Sequence, residues 1–169
     1  MPKLQGKASG TGSTCDQSRF EDNGDGTVTD WLTGLQWEKK TDDGTVHDKD
    51  NLYSWSVTSP FTAADGTAFT SFLPALNSGG CFAEQCDWRL PTIQELQTIL
   101  LTPYPCATSP CIDEAVFGPM VADNYWSATT LPMNPPSYAW TVHFGDGSVH
   151  DYYGLKSGVH YVRAVRGGL

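Results

Sequence analysis

The stretch Asp87-Trp88-Arg89-Leu90-Pro91-Thr92-Ile93-Gln94-Glu95-Leu96 decides most about the fold of this chain. Thr92 followed three positions later by Glu95 is a capping-box pattern, in which each side chain accepts a hydrogen bond from the other residue's backbone N–H. Pro91 disfavours helix at the residue before it, so we expect an extended segment and then a helix over residues 92–101. Arg89 is expected to anchor a loop or a carboxylate. Apolar residues at helical spacing predict a buried stripe of Ile93, Leu96, Ile99 and Leu100.

Length and composition bound the class of protein. The chain has 169 residues, of which 39% are hydrophobic and 12% aromatic, and this predicts one folded domain with a substantial core. We expect residues 1–17 to form a flexible N-terminal arm and residues 18–169 to form the domain. The 17 glycines and 11 prolines imply many turns and argue against an all-helical fold.

The net charge of −9 argues against polyanionic partners. The ten Lys and Arg residues are scattered, and the nearest approach to a cluster is Lys156, Arg163 and Arg166. Nucleic acid, anionic membranes and heparin-like chains need clustered basic side chains, so we do not expect them as partners. No apolar run reaches the ~18 residues of a membrane span, so direct membrane insertion is not expected either. We expect any export signal to lie outside this sequence.

The five cysteines predict an oxidising compartment. Cys81 and Cys86 have the same spacing as Cys106 and Cys111, in turn-rich surroundings that suit two local disulfides. A zinc site with four thiolates is the alternative, although zinc ligands usually lie closer in sequence and a predicted helix separates the two pairs. Cys15 is either paired with a cysteine outside this sequence or free. The expected localisation is extracytoplasmic, secreted or at the cell surface.

The N-terminal half is dominated by turns. Asn23-Gly24 and Asp25-Gly26 supply the positive φ angles of a tight turn and predict a hairpin over residues 20–30. A strand is expected over residues 35–38, followed by an acidic loop over 41–51.

Helical and then β patterns follow. A helix is expected from about Thr67, kinked or ended by Pro74. From Tyr125 onward the pattern is β, with a terminal strand of alternating faces over residues 161–166. The predicted fold class is therefore α+β, with two helices packed beside twisted antiparallel sheets and hairpins.

Five ordered motifs resemble one known family. They are DNGDGTVTDWLTGLQW, CDWRLPTIQEL, AVFG, YWSATT and YVRAVRGG, spread over residues 19–167. Together they resemble the C-terminal domain of the Legionella collagen-like adhesin, a bacterial family long described as a domain of unknown function. The resemblance implies a C-type-lectin-like fold, related to that of the formylglycine-generating enzyme, on exported or surface proteins. Some members of this wider fold group are adhesins, and others are the variable proteins of diversity-generating retroelements.

Two departures limit what the resemblance implies. The formylglycine-generating enzyme uses reactive cysteines in its C-terminal part, whereas this chain has none after Cys111. Its oxygenase chemistry is therefore not carried over. The adhesin is associated with sulfated glycans, whereas a chain of charge −9 lacks an evident basic surface for them. The resemblance fixes no substrate.

Two segments resemble calcium sites. Glu21, Asn23 and Asp25 stand at alternate positions before a glycine, as in a calcium loop, but Leu32 occupies the position of the final bidentate acid. A hairpin turn is the simpler interpretation of this segment. Calcium in the acidic loop is the other option, with the candidate ligands Asp42, Asp43, Asp48 and Asp50. No other cofactor is expected.

His143 and His150 are candidates for a different kind of site. A two-residue turn at Asp146-Gly147 would place the two histidines directly opposite each other, ~5 Å apart between Cβ atoms. They could bind a metal together with His160 or Asp151, or contact a ligand. An exposed pair without metal is the simpler interpretation.

The six tryptophans raise the question of sugar stacking. Four of them lie in strand or motif positions and are expected in the core, namely Trp37, Trp88, Trp126 and Trp140. Trp31 and Trp55 lie near turns and could be exposed, where they could contact a ligand.

The composition of residues 123–161 is the strongest indication of function. They hold five of the seven Tyr and three of the four His, many Ser, Gly, Asn and Asp, no Glu or Gln, and one basic residue. Antibody paratopes have a similar composition, although Tyr and Ser also suit strands and turns.

These observations predict a non-enzymatic module that binds a protein or a glycan, as an adhesin or a diversified receptor does. The expected ligand contacts, taken as outward-pointing or loop positions, are Tyr138, His143, Ser148, His150, Tyr152, Lys156 and His160. The sequence has no nucleophile elbow, phosphate-binding glycine loop or zinc-protease signature. Two alternatives remain. One is a carbohydrate-active or metal-dependent enzyme that uses the two hairpin histidines, and the other is a structural cap of a surface fibre, acting as a homo-oligomer.

Overall fold

The computed structural model describes residues 18–168. The arm predicted for residues 1–17, including Cys15, and residue 169 lie outside the described residues. Between 18 and 168 the chain is mixed α and β, with short helices and antiparallel sheets, which confirms the α+β class. In this part of the chain no helix is long and apolar enough to cross a membrane.

The elements are numbered along the chain. The strands are β1 (Phe20–Asp22), β2 (Thr27–Asp30), β3 (Leu35–Glu38), β4 (Tyr53–Ser54), β5 (Asn124–Thr130), β6 (Ala139–His143), β7 (Ser148–His150), β8 (Val159–His160) and β9 (Val165–Gly167). The helices are a π-helix (Ala68–Phe72), α1 (Leu73–Asn77), α2 (Ile93–Gln97) and α3 (Glu114–Phe117). The strands form three sheets, with the orders β1-β2-β3-β9, β4-β8 and β5-β6-β7.

The four-stranded sheet contains the predicted N-terminal hairpin. Phe20 pairs with Asp30 across β1 and β2, which confirms that hairpin. Its turn glycines, Gly24 and Gly26, have φ angles of 75° and 89°, a conformation that costs glycine little. β9 closes the far edge beside β3, so the sheet joins the beginning and the end of the described chain.

The segment around residues 88–96 is locked by side-chain hydrogen bonds. The capping box is confirmed: the N–H of Glu95 donates to Thr92 Oγ1 at 3.2 Å, and the N–H of Thr92 donates to a Glu95 carboxylate oxygen at 2.8 Å. Arg89 donates to both oxygens of the same carboxylate, at 2.8 and 2.7 Å. Its backbone also pairs with Val165 of β9. This segment therefore ties α2 to the edge of the four-stranded sheet.

α2 is shorter than the helix predicted over residues 92–101. It ends at Gln97, where the hydroxyl of Thr98 donates to the carbonyl oxygen of Glu95 at 2.6 Å and occupies an acceptor of the last turn. The predicted apolar stripe is present. Three of its members are buried and the fourth packs against the same core, in the order Ile93, Leu96, Ile99 and Leu100.

The second predicted helix changes type along its length. The π-helix runs directly into α1, and Pro74 lies in the first turn of α1. The change of helix type comes just before Pro74, and α1 continues past it to Asn77. The prediction that Pro74 ends the helix is therefore wrong, and its alternative, a kink at Pro74, stays a prediction.

Two clusters of buried residues fill the interior. One is built around β2, β3, α2 and the β5–β6 pair, and the other packs the π-helix and α1 against tryptophans. Trp55 lies in the second cluster with 6% of its surface exposed, so it is not one of the exposed tryptophans that the sequence allowed. Trp31 is one of them and is 59% exposed. The tryptophans predicted in the core are buried or partly buried, namely Trp37, Trp88, Trp126 and Trp140.

The terminal segment departs from the predicted alternating strand. Residues 162–165 are all buried, and β9 begins only at Val165. Arg163 has no exposed surface and donates from one terminal nitrogen to the carbonyl oxygens of Glu38 at 2.6 Å and Phe117 at 3.0 Å. Alternation fails because the segment runs between the two buried clusters, with Val162 in one and Val165 in the other.

The β6–β7 hairpin has a different register from the predicted one. His143 pairs with Ser148, and Thr141 pairs with His150, across a four-residue turn. The two histidines are therefore diagonal to each other across the strands, and the prediction that they lie directly opposite is wrong. The wider turn is closed by Gly147, which has a φ of 81° and donates its N–H to the carbonyl oxygen of His143 at 2.8 Å.

Candidate functional site

A groove lies between the β6–β7 hairpin and the loop that follows α2. We call it the hairpin groove. Its volume of about 710 Å³ lies within the ~300–1,000 Å³ that is usual for ligand pockets. It is lined by Gln97, Leu100, Leu101, Thr102, Pro103, Tyr104, Asp146, Gly147, Ser148, Val149 and His150.

Backbone hydrogen bonds fix a disulfide-closed loop, which follows the loop wall of the groove in the chain, to the hairpin turn. Cys106 and Cys111 are bonded, with Cα atoms 5.9 Å apart. The N–H of Cys106 donates to the carbonyl oxygen of Asp146 at 2.7 Å. The N–H of Cys111 donates to the carbonyl oxygen of Phe144 at 2.6 Å. Both halves of the disulfide are thus hydrogen-bonded to the same turn, and the two walls hold a fixed separation.

The other predicted pair is also bonded. Cys81 and Cys86 have Cα atoms 5.2 Å apart. They close the loop that precedes residues 88–96, and the Trp88 indole N–H donates to the carbonyl oxygen of Phe82 within that loop at 3.0 Å. This disulfide therefore stabilises the scaffold rather than the groove.

Four side chains on the hairpin form one hydrogen-bonded chain, which we call the turn relay: His143, Asp146, Ser148 and His150. Asp146 Oδ1 lies 3.0 Å from His143 Nδ1 and 2.5 Å from Ser148 Oγ. Ser148 Oγ in turn lies 2.7 Å from His150 Nε2. The hydrogen bonds from the hydroxyl and the N–H of Ser148, together with His143, outweigh the opposing effect of burial and hold the pKa of Asp146 below its usual range, so it is a carboxylate near neutral pH.

The relay fixes which atoms carry protons. A carboxylate only accepts, so His143 Nδ1 and the Ser148 hydroxyl both donate to Asp146. Since the one hydroxyl proton is used there, Ser148 Oγ accepts from the N–H at His150 Nε2. In a serine nucleophile the histidine accepts the hydroxyl proton instead. The relay thus orients two imidazoles and stabilises the turn.

Exposed apolar side chains complete the groove. On the loop wall, Tyr104 is 64% exposed and Leu101 is also exposed. Val149 faces solvent from the hairpin wall. Beyond it, the ring of Tyr153 packs edge-on against His150 at 5.2 Å, and Tyr152 is 81% exposed. An aromatic rim therefore continues past the groove along the hairpin.

The structure separates the predicted contact residues. His143 and His150 are half-exposed in the turn relay, and Tyr152 is exposed. Tyr138 is half-buried and, with Tyr152, lines a separate cavity of about 200 Å³. His160 is half-buried, its Nε2 lies 2.8 Å from the carbonyl oxygen of Tyr153, and burial lowers its pKa.

Two of the predicted contact residues do not point outward. Ser148 is buried beneath the turn, where its hydroxyl belongs to the relay. Lys156 is 1% exposed, donates to Thr130 Oγ1 and to the carbonyl oxygen of Pro136, both at 2.9 Å, and lies 3.8 Å from the ring centre of Trp55. Burial lowers the pKa of Lys156. The expectation that these two side chains are accessible is therefore wrong.

Sequence reasoning missed the loop wall. Gln97, Leu101, Thr102 and Tyr104 come from the end of α2 and the segment before Cys106, outside the Tyr- and His-rich region. The proline- and cysteine-rich composition of this loop indicates a rigid segment. Nothing in the sequence shows that it folds against the β6–β7 turn.

Each Lys and Arg side chain of residues 18–168 is either buried or paired with a carboxylate. Lys156 and Arg163 are buried and make no salt bridge within that range. Every other Lys and Arg in this range is paired with a carboxylate, in the pairs Arg19–Asp30, Lys39–Asp22, Lys40–Glu38, Lys49–Asp50, Arg89–Glu95 and Arg166–Asp87. This part of the surface therefore presents no free cationic patch to an anionic ligand.

One acidic cluster could hold a cation by geometry. Within residues 18–168 only Asp42, Asp48 and Asp50 bring ligand oxygens within 4.8 Å of one another. Asp48 already accepts from three backbone N–H groups, and Lys49 Nζ lies 3.3 Å from Asp42 and 2.7 Å from Asp50. Internal contacts thus account for this cluster.

The other metal candidates have different neighbours. Asp25 accepts hydrogen bonds from the N–H and the hydroxyl of Thr27, as expected for a hairpin turn. His143 and His150 belong to no three-residue group with converging ligand atoms among the described residues.

The fold and the groove define a disulfide-braced α+β domain with a ligand-sized surface groove. A model of the family described as Lcl C-terminal domain matches residues 26–166. The chain therefore belongs to the Lcl C-terminal domain family, as its motifs indicate. No curated protein matches the chain in a sequence comparison.

Proposed function

We propose that this chain is a non-enzymatic recognition domain of an exported or surface-attached bacterial protein, and that its ligand binds in the hairpin groove. The observation that carries the proposal is the groove itself, beside which the backbone N–H groups of the bonded Cys106 and Cys111 are hydrogen-bonded to the hairpin turn. A pocket that exists before the ligand arrives costs less ordering entropy on binding. The proposal includes the C-type-lectin-like architecture that the motifs imply, with the ligand face in the C-terminal strands.

The side chains of the groove suit recognition rather than catalysis. Tyr104, Leu101 and Val149 offer exposed apolar contact area. The polar atoms of the hairpin wall belong to the turn relay, which gives its serine no base to accept a proton. This arrangement supports binding over an enzymatic role for His143 and His150.

The proposed location follows from the two disulfides. Bonded cysteine pairs persist in oxidising compartments, such as the bacterial periplasm, the cell surface and the medium. Membership of a family described by the C-terminal domain of an adhesin agrees with that location.

A diversified receptor remains part of the proposal. Exposed positions of the groove and its rim, such as Leu101, Tyr104, Val149 and Tyr152, can change without removing core contacts. Ser148 and Lys156 are buried and cannot be substituted without losing such contacts. A variable binding surface on this scaffold would therefore include the exposed positions and leave the relay intact.

The test is a binding screen that compares two surface variants with the unaltered chain. The groove variant is Tyr104→Ala with Val149→Ser. The control is Trp31→Ala with Leu32→Ser, which removes another exposed aromatic and aliphatic pair, at the β2–β3 turn. All three proteins are applied to arrays of glycans and bacterial and host surface proteins.

We expect at least one ligand that the unaltered chain and the control bind and the groove variant does not. Ligands lost equally by both variants, or by neither, would overturn the groove as the binding site.

A further inference from the structure

The hairpin wall of the groove presents hydrogen-bond acceptors. Asp146 uses Oδ1 within the turn relay, and its Oδ2 makes no hydrogen bond to any residue in the range 18–168. In the neutral form of His150, donation from Nε2 to Ser148 leaves Nδ1 as an acceptor. His143, which lies outside the groove lining, donates from Nδ1 to the same carboxylate, and its ring centre lies 6.1 Å from that of His150. These fixed groups suit a ligand rich in donors.

The charge of the groove indicates which kind of hydrogen-bond donor it would bind. Asp146 is a carboxylate, and no Lys or Arg side chain lines the groove. The Lys and Arg residues of the described chain are buried or paired with other carboxylates. The titratable group that contacts this carboxylate is the His143 imidazole at 3.0 Å, which offsets its charge only when protonated. The chain as a whole has a net charge of −9. A cation is therefore favoured over a neutral or anionic ligand, both at contact and during approach.

The separation of the acceptors argues for a cation larger than a metal ion. No choice of one ligand atom each from Asp146, His143 and His150 brings all three atoms within 4.8 Å of one another, whereas the acidic cluster does so. A planar guanidinium has five N–H donors and reaches acceptors that are spread apart. It also stacks on aromatic faces, and Tyr104 exposes its ring on the opposite wall.

We propose that the hairpin groove binds an arginine side chain presented by a basic segment of a partner protein. The guanidinium lies between the ring of Tyr104 and the carboxylate of Asp146, and the apolar stem of the arginine packs on Leu101 and Val149. This inference rests on the proposed function, because it assigns the ligand of the same groove.

The experiment uses a tetra-arginine peptide as the probe and a tetra-citrulline peptide as its uncharged control. Citrulline keeps the shape of arginine and lacks its charge. Binding to the 169-residue chain is followed through backbone amide shifts in NMR spectra at near-physiological salt. Maltoheptaose serves as a neutral glycan probe, and a heparin oligosaccharide serves as an anionic one.

Asp146→Asn is the diagnostic variant. Asparagine retains an Oδ1 that accepts from His143 and Ser148, so the turn is kept, while the outward Oδ2 becomes an N–H₂ donor. Glu84→Gln is the matched control. Glu84 is exposed and lies outside the groove lining, and its replacement by glutamine also removes one negative charge. An unchanged melting temperature and unchanged Gly147 and Ser148 amide shifts in the free variant verify that the turn is intact.

We expect tetra-arginine to shift the amides of Tyr104, Val149 and His150. Its affinity should fall about tenfold in Asp146→Asn and change little in Glu84→Gln. Tetra-citrulline should bind about tenfold more weakly than tetra-arginine. Equal losses in the two variants would show general charge attraction and would overturn the proposal.

Other outcomes separate this inference from the proposed function. If maltoheptaose or heparin shifts the groove amides and tetra-arginine does not, the arginine proposal is wrong and the groove remains a binding site. If no probe shifts these amides and the array screen finds no ligand that depends on Tyr104 and Val149, both proposals are wrong.

Discussion

The backbone N–H of Cys106 donates to the carbonyl oxygen of Asp146 at 2.7 Å. This one bond connects a disulfide-closed loop to the residue at the centre of the turn relay. The loop wall and the hairpin wall therefore depend on each other, although they are separate in sequence.

Removing the groove disulfide should affect both stability and binding. We expect Cys106→Ser with Cys111→Ser to lower the free energy of unfolding by about 2 kcal/mol, because a short disulfide loop restricts the unfolded chain. Ligand affinity should also fall, since the loop wall is no longer fixed to the turn. Urea unfolding and the array ligands measure the two effects.

The matched control is Cys81→Ser with Cys86→Ser, which opens a loop of the same length away from the groove. It should cost similar stability and leave affinity unchanged. An equal loss of affinity in both variants would contradict the assigned role of the Cys106–Cys111 disulfide.

The ion pair beside α2 should stabilise the scaffold. Arg89→Ala removes two hydrogen bonds to Glu95 at the surface of the molecule, and we expect a loss of about 1 kcal/mol. Glu95→Gln should cost less, since glutamine preserves the capping box with Thr92. Equilibrium unfolding in urea provides the measurement. An Arg89→Ala variant as stable as the parent would show that the Arg89–Glu95 ion pair does not stabilise the scaffold.

Acid should weaken the loop that carries Asp65. Hydrogen bonds from Thr58, Val57 and Ser56 lower the pKa of Asp65 to about 2. A depressed pKa in the folded state contributes stability that is complete above the unfolded value near 3.8 and is lost as the pH falls toward 2. Asp65→Asn should therefore show a smaller loss of stability between pH 4 and pH 2, measured by thermal unfolding. Parallel pH curves for the two proteins would contradict this assignment.

Burial divides the C-terminal region into tolerant and intolerant positions. We expect serine at Leu101, Tyr104, Val149 and Tyr152 together to change stability by no more than about 0.5 kcal/mol per position. Lys156→Ala alone should cost about 3 kcal/mol, because it removes a buried stem and its hydrogen bonds.

Lys156→Met is the control for that variant. It keeps an unbranched apolar side chain in the buried position, although not the Nζ that lies over Trp55, and should lose less stability than alanine. Thermal unfolding ranks the three variants, and a tolerant Lys156→Ala would show that this lysine is not a core residue.

Much of the scaffold could be predicted because its signals are local. The capping box at Thr92, the turn at Asn23-Gly24 and the two cysteine pairs each depend on residues within a few positions of one another. Their backbone and side-chain preferences act over one turn of chain, and a sequence displays them directly.

The candidate site was less predictable. The hairpin register depends on which turn length Asp146 and Gly147 stabilise, and the sequence allows both two and four residues. The loop wall joins the site through contacts to Asp146 from Cys106, 40 positions earlier in the chain. The composition of residues 123–161 indicated the hairpin wall of the groove, but it could not indicate the loop wall, which comes from another part of the chain.

The sequence by itself determined the family, the α+β class, the capped helix after Leu90 and the pairing of neighbouring cysteines, because these rest on short-range preferences and motif order. Only the tertiary structure decided that Lys156 and Arg163 are buried, since their partners lie far away in the chain. It also decided that the Tyr- and His-rich strands meet the Cys106–Cys111 loop to form a groove. Burial and long-range contact belong to the packed molecule, and no local pattern encodes them.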